Sequence, residues 1–100
     1  MRPIFELSFM PEWLASKPVG NPVGNQVCHY KGNSDPPKNN TEWGELIGAL
    51  GQHMVSKYGE ETAGEMFFEV WNEPNDNFWH GGEGQPGQGN LTKQSSYFEL

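Results

Sequence analysis

The sequence of 100 residues is short of cysteine, of basic residues and of long hydrophobic runs. Its one cysteine, Cys28, excludes a disulfide framework, and its three scattered histidines offer no metal cluster. No stretch approaches the roughly 18 apolar residues of a membrane span. Only 34% of the residues are hydrophobic, beside 13 glycines and 8 prolines. A chain of this size and composition has little core to offset the entropy of ordering, so we expect that it does not fold alone.

The scarcity of lysine and arginine gives a formal net charge of −7. Binding to nucleic acid needs clusters of basic side chains on the phosphates, and the six basic residues here are dispersed. We therefore expect neither a nucleic acid nor a membrane as a partner. Met1 is followed at once by a strand-like run rather than by a signal-peptide pattern, and we expect the true N-terminus to lie upstream. The compartment and the oligomeric state stay open.

The first third of the chain predicts a strand and a long loop. Pro3 to Met10 is short, apolar and aromatic, which is typical of a buried strand. Ser16 to Asn40 is rich in proline and asparagine, and its tandem PVGN motif predicts two successive turns. A loop of this length inside a compact domain is usually functional or disordered.

A helix follows the long loop. Thr41 is its predicted N-cap, Gly59 its predicted end, and Lys57 in the last turn complements the helix dipole. His53 lies off the apolar stripe and is expected to be solvated rather than a ligand. The stripe itself recurs at helical spacing: it consists of Trp43, Leu46, Ile47, Leu50, Met54, Val55 and Tyr58.

The order of the elements predicts the α/β class. Glu60 to Gly64 predicts a short connection or a single helical turn, and Met66 to Trp71 a second buried strand. A strand, a helix and a second apolar strand form a parallel βαβ unit. Beyond it, residues 80–96 predict a long glycine-rich loop, and Ser95 to Leu100 the start of a further helix.

The sequence FFEVWNEPN, residues 67–75, carries the clearest chemical signal. Glu73 follows the second strand, between Asn72 and Pro74. Because a proline disfavours helical backbone in the residue before it, we expect Glu73 to be extended and to project from the strand end. A glycosidic oxygen leaves only when a rigidly held carboxylic acid protonates it. Glu73 is therefore a candidate general acid, with a capping or structural role as the alternative.

Two other glutamates are rivals for this role. Glu6 and Glu69 occur in matching FEL and FEV contexts, one in each predicted strand. Both lie in the middle of a strand, where side chains pack into the interior. We therefore expect each to be a buried structural charge with a basic partner elsewhere.

Aromatic and polar residues in the two long loops are candidates for sugar contacts, because sugar rings stack on aromatic faces and their hydroxyls need polar partners. Ligands in parallel α/β folds lie beyond the carboxyl ends of the strands, where both loops leave. His29 and Tyr30 in the first loop are candidates. Trp79 and His80 follow Glu73 closely enough to line the same cleft, with loop packing and a surface position as their alternatives.

Several segments together resemble glycoside hydrolase family 39, which contains β-xylosidases and α-L-iduronidases. They are PIFELSFMP at Pro3, HYKGNSDPPKN at His29, the TEWGELIGAL helix, and FFEVWNEPN followed by NFW at Asn77. The WNEP motif alone is shared more widely among retaining glycosidases of the eight-stranded barrel. The KGNSDPPKN loop favours the xylosidase branch.

The resemblance implies that residues 1–100 are a fragment of a (β/α)₈ TIM barrel, from about strand 3 to the start of helix 4, without an internal boundary. It implies that Glu73 is the general acid/base, that Asn72 binds the sugar 2-hydroxyl, that the substrate is an oligosaccharide or glycoside, and that no cofactor is needed. The second carboxylate is expected on a much later strand, so the isolated fragment should be inactive. Two alternatives are an α-L-iduronidase-like or other WNEP hydrolase, and a non-catalytic carbohydrate-binding or decayed homologue.

Overall fold

The structure is a computed structural model that describes residues 2–17, 26–27, 32–76 and 78–100. Within these residues the chain forms four short strands and three helices. In chain order they are β1 (Ile4–Leu7), β2 (Gln26–Val27), β3 (Gly32–Asn33), α1 (Asn40–Tyr58), α2 (Glu60–Gly64), β4 (Phe67–Val70) and α3 (Lys93–Phe98).

Strands β1 and β4 pair in parallel, so the predicted βαβ unit is confirmed. The register runs from Ile4 opposite Phe67 to Leu7 opposite Val70. Side chains alternate between the two faces of a strand. Leu7 and Val70 lie on the face that points towards α1, where they line a cavity of about 220 Å³ with Ile47.

The prediction that these two strands are buried was wrong. Ile4 is 69% exposed and Phe67 60% exposed, and every residue of β4 is exposed. The described sheet has only two strands, so its outer edges meet solvent, and residues of β4 are exposed on both of its faces. Both strands are also shorter at each end than the apolar runs that predicted them.

Helix α1 begins one residue before the predicted N-cap. The cap is Asn39, whose Oδ1 accepts the backbone N–H groups of Thr41 at 2.8 Å and Glu42 at 3.4 Å. An asparagine side chain at this position satisfies two donors that the first turn leaves free, so Thr41 lies inside the helix. The predicted end is confirmed, because Gly59 has a φ of 83° and donates to Val55 O at 2.8 Å.

The apolar stripe of α1 is buried only in part. Trp43 and Met54 are buried, whereas Val55 and Tyr58, near the helix end, are 44% and 45% exposed. His53 is exposed, as predicted. The short α2 that follows confirms the single helical turn predicted over the same residues.

The segment predicted as one continuous loop contains regular pairing. Strands β2 and β3 form an antiparallel pair, and Ala15 pairs with Pro37 in an isolated bridge. The two predicted PVGN turns lie in residues 18–25, outside the described residues. The residues directly after β3 are buried, since Ser34 and Asp35 have no exposed surface. The sequence predicted no buried stretch here, because its polar and proline-rich composition is that of a loop.

The glycine-rich segment ends earlier than predicted. Helix α3 begins at Lys93 behind the N-cap Thr92, which forms a capping box with Ser95. The residues before it form successive turns, closed by hydrogen bonds from Gln85 to Gly82 and from Gln88 to Gln85. None of the helices in the described part of the chain is long and apolar enough to span a membrane.

Candidate active site

Glu73 lies three residues beyond the end of β4 and is exposed to solvent. Its backbone φ is 40°, in the left-handed region, so the expectation of an extended residue was wrong. The clash imposed by Pro74 acts against right-handed helical backbone and leaves this turn accessible. The turn is closed by the Asp76 N–H, which donates to Glu73 O at 3.0 Å. Glu73 does project from the strand end, but from a tight turn.

Trp71 is a buried residue just before this turn. It also has left-handed backbone, with a φ of 66°, and its ring is 1% exposed. Its Nε1–H donates to Phe78 O, and its ring meets that of Trp79 edge to face at a centroid distance of 4.9 Å. Left-handed backbone is costly for residues other than glycine and persists only where the surroundings fix it. Asn72, which is half-buried, therefore lies between two residues held in unusual conformations.

The end of β1 meets this turn. Phe9 packs edge to face on Trp71 at 6.2 Å and stacks on Phe78 at 6.0 Å. The Met10 N–H donates to Asn33 O at 2.9 Å, which ties the segment after β1 to the last residue of β3. The ends of both parallel strands and the segment before α1 thus converge at one edge of the sheet, as expected for a parallel α/β fold.

The rival glutamates lie away from this edge. Glu6 and Glu69 are opposite each other in the strand register, and both are exposed. The expectation that they are buried charges was therefore wrong for the described part of the chain, because nothing in it covers their face of the sheet. Glu6 accepts a hydrogen bond from the Ser8 hydroxyl.

Trp79 is a packing residue in this structure. Its side chain has no exposed surface, its Nε1–H donates to Ser96 Oγ at 3.0 Å, and its ring meets Tyr97 edge to face at 6.2 Å. No ring face is free for a sugar to stack upon. The packing alternative that the sequence left open fits this position better than a substrate contact.

His80, in the segment that follows the Glu73 turn, is hydrogen-bonded to the buried residue Ser34 directly after β3. Its backbone N–H donates to Ser34 O at 2.9 Å, and its Nδ1 lies 2.7 Å from Ser34 Oγ. Burial lowers the pKa of His80, Asp35 opposes this effect, and Lys93 and Lys17 reinforce it. The lowered pKa favours the neutral ring, whose Nδ1 can accept a hydrogen bond from the Ser34 hydroxyl.

The remaining predicted contacts, His29 and Tyr30, lie outside the described residues. Sequence reasoning missed Ser96 and Tyr97, which contact the turn region from α3, because no local motif marks them. Their helical spacing behind the Thr92 cap is the one signal that was available. Among the described residues no three His, Cys, Asp or Glu side chains form a group able to hold a metal ion.

Comparison with known proteins identifies the family. Residues 1–91 match the family model for glycosyl hydrolases family 39. The chain belongs to this family. Over 83 residues it is 54% identical to a beta-xylosidase of Caldicellulosiruptor saccharolyticus, covering 81% of this chain and 16% of the relative. Over 81 residues it is 46% identical to a beta-xylosidase of Geobacillus stearothermophilus, covering 79% and 15%.

A solved beta-xylosidase structure shares the local fold. The crystal structure of a monomeric beta-xylosidase from Caulobacter crescentus CB15 superposes with a TM-score of 0.64 at 38% sequence identity. The match covers 75% of this chain and 14% of that one. The chain therefore spans about one seventh to one sixth of the length of these family 39 relatives.

Proposed function

We propose that this chain is part of the catalytic barrel of a retaining O-glycoside hydrolase that acts as a β-xylosidase on short xylo-oligosaccharides. In this proposal β1 and β4 are the third and fourth strands of a (β/α)₈ barrel, and residues 1–100 contain no internal domain boundary. The parallel pairing, the helix between the two strands in chain order and the exposed apolar residues of both strands support it. The names of the family 39 relatives support the substrate class.

Glu73 is the general acid/base in this mechanism. Its carboxylic acid protonates the departing glycosidic oxygen while a second carboxylate, about 5 to 5.5 Å away, attacks the anomeric carbon. The resulting carboxylate of Glu73 then takes a proton from the water that releases the sugar. Asn72 binds the sugar 2-hydroxyl. The attacking carboxylate is supplied by a later strand of the complete enzyme, so the isolated chain is inactive.

The position of Glu73 is the observation that carries this assignment. It is an exposed carboxyl in a fixed turn beyond the carboxyl end of β4, beside the end of the neighbouring parallel strand. Active sites of such barrels lie at this face. Glu6 and Glu69 lie within the strands, away from the loops that bind ligands.

The test is hydrolysis of aryl β-xylosides by the complete enzyme with and without Glu73→Gln. We expect the variant to lose about 10² to 10⁴ in kcat/KM on the phenyl glycoside, which needs proton assistance. On the dinitrophenyl glycoside, added azide should restore turnover by attacking the glycosyl-enzyme in place of the activated water. His53→Gln, at an exposed position of α1, is the matched control.

Each outcome separates the proposal from its alternatives. Loss of activity without azide rescue on the activated substrate would argue against the acid/base role. Binding of xylobiose without hydrolysis by the unaltered protein would favour a non-catalytic carbohydrate-binding homologue. Hydrolysis of an aryl α-L-iduronide in preference to the β-xyloside would assign the chain to the other branch.

A further inference from the structure

Helix α3 contacts the turn of Glu73 through one face. Ser96 and Tyr97 come three and four residues after Lys93, so all three side chains lie towards one side of the helix. Each makes a hydrogen bond to the segment that runs from the end of β4 to Trp79. A cleft of about 340 Å³ lies between the helix and Pro74, and the edge-to-face contact of Tyr97 with Trp79 adds to the three hydrogen bonds.

The contact of Tyr97 lies at the start of the segment. Its Oη–H donates to Val70 O at 2.8 Å. Val70 is the last residue of β4 and directly precedes Trp71, the first of the two left-handed residues. Tyr97 therefore fixes the peptide from which the chain leaves the sheet towards Glu73.

The contact of Ser96 lies at the end of the segment. Its Oγ accepts from Trp79 Nε1 at 3.0 Å and donates to Lys93 O at 2.8 Å, so both of its hydrogen-bonding roles are filled. Trp79 in turn packs edge to face on Trp71 at 4.9 Å. Ser96 thus holds the ring that supports the turn.

The contact of Lys93 lies in the middle. Its Nζ donates to Asp76 O. The backbone N–H of Asp76 in turn donates to Glu73 O at 3.0 Å and closes the turn. The backbone on both sides of the acid is therefore tied to the same helix. Left-handed residues hold their conformation only when surrounding contacts impose it, and α3 supplies part of those contacts, beside the packing of Trp71 on Phe9 and Trp79.

We propose that α3 positions the Glu73 carboxyl, with Tyr97 as its principal positioning residue, acting through Val70 O. This inference rests on the proposed acid/base role of Glu73. A displaced acid transfers its proton poorly, and a shift of about 1 Å can cost about 10² in rate. The penalty depends on how much the leaving group needs the proton.

The test is Tyr97→Phe in the complete enzyme, which keeps the ring and removes only the hydroxyl. We expect kcat/KM for phenyl β-xyloside to fall about tenfold and kcat/KM for dinitrophenyl β-xyloside to change less than about twofold, because the better leaving group departs without assistance. The ratio of the two values does not depend on the amount of folded enzyme, so poor folding of the variant leaves it readable. Ser96→Ala should shift the ratio in the same direction.

Tyr58→Phe is the matched control, because Tyr58 lies 45% exposed at the far end of α1, and its ratio should stay at the wild-type value. An equal loss on both substrates, or no change on either, would overturn the positioning role of Tyr97. These results are separable from the proposed function. If Glu73→Gln shows azide rescue while Tyr97→Phe leaves the ratio unchanged, only the positioning role fails. If Glu73→Gln keeps full activity on phenyl β-xyloside, the acid/base assignment fails.

Discussion

Glu6 of β1 lies directly opposite Glu69 of β4 in the parallel register. Adjacent strands are about 4.8 Å apart, so the two side chains project side by side from the same face of the sheet. Like charges in this arrangement destabilise a sheet. Both residues are exposed in the described structure, and both belong to the strands themselves rather than to the loops beyond them.

We predict that Glu6→Gln and Glu69→Gln keep most of the activity of the complete enzyme. Each should retain kcat/KM for phenyl β-xyloside within about tenfold, whereas removal of a general acid costs about 10² to 10⁴. The measurement is the same assay used for Glu73→Gln. If Glu69→Gln lost as much activity as Glu73→Gln, and azide restored it, the acid would have to be reassigned to β4 itself.

Two glycines offer a stability test with opposite expected signs. A Cβ at Gly81 would lie 2.4 Å from Ser96 Oγ and 2.6 Å from Trp79 Nε1, both of them buried. Gly81→Ala should therefore lower the free energy of unfolding by about 1 to 3 kcal/mol. Gly48, within α1, has nothing within 4 Å of the same position, so Gly48→Ala should raise it by about 0.5 to 1 kcal/mol.

Denaturant unfolding of the complete protein measures both changes. Equal destabilisation by the two alanines would contradict the close packing of Gly81 on α3. It would also count against the contact between Trp79 and Ser96, on which the positioning role partly depends.

Asn72 offers a test of the proposed contact with the sugar 2-hydroxyl. Asn72→Ala should lower kcat/KM for an aryl β-xyloside, because the hydrogen bond to that hydroxyl strengthens in the transition state. On the matching 2-deoxy glycoside the same substitution should have little effect, because the partner is already absent. Kinetics of both enzymes on both glycosides form a double-mutant cycle. Equal losses on the two substrates would show that Asn72 acts through packing instead.

The secondary structure was largely predictable because its signals are local. The stripe from Trp43 to Tyr58 and the terminal Gly59 define α1, and two apolar runs around a helix define a parallel pair. The error at the N-terminus of α1 is also local, since Asn39 and Thr41 are both good caps and only geometry chooses between them.

The site was predictable only in part because much of it depends on contacts between distant residues. The WNEP motif located Glu73 without tertiary information. Its left-handed backbone is imposed from outside, and the hydrogen bond from Tyr97 to Val70 joins residues 27 positions apart. For the same reason the sequence left both sugar contact and loop packing open for Trp79. A tryptophan shortly after the WNEP motif is compatible with either role until the helix that packs against it is placed.

His80 predicts a pH dependence of stability. Burial lowers its pKa in the folded protein, while the unfolded chain keeps a value near 6.5. As the pH falls below about 6.5 the unfolded chain takes up the proton first, so this group's contribution to stability is present above that pH and is lost as the pH falls through the folded pKa. His80→Gln removes the contribution. The melting temperature of His80→Gln minus that of wild type should therefore increase as the pH is lowered from about 8 to about 5. A melting-temperature difference that does not change with pH would contradict this role of His80.

The exposed sheet predicts how residues 1–100 behave alone. Ile4, Phe67 and Val70 are 69%, 60% and 44% exposed, so the two strands leave apolar surface in water on both faces of the sheet. A folded domain of this length absorbs about 60 to 80 kcal/mol in a single thermal transition. We expect the isolated chain to show no such transition in calorimetry and to bind a hydrophobic dye, because the burial available to it does not offset the entropy of ordering. A sharp transition of that enthalpy, with no dye binding, would show that the unit folds independently.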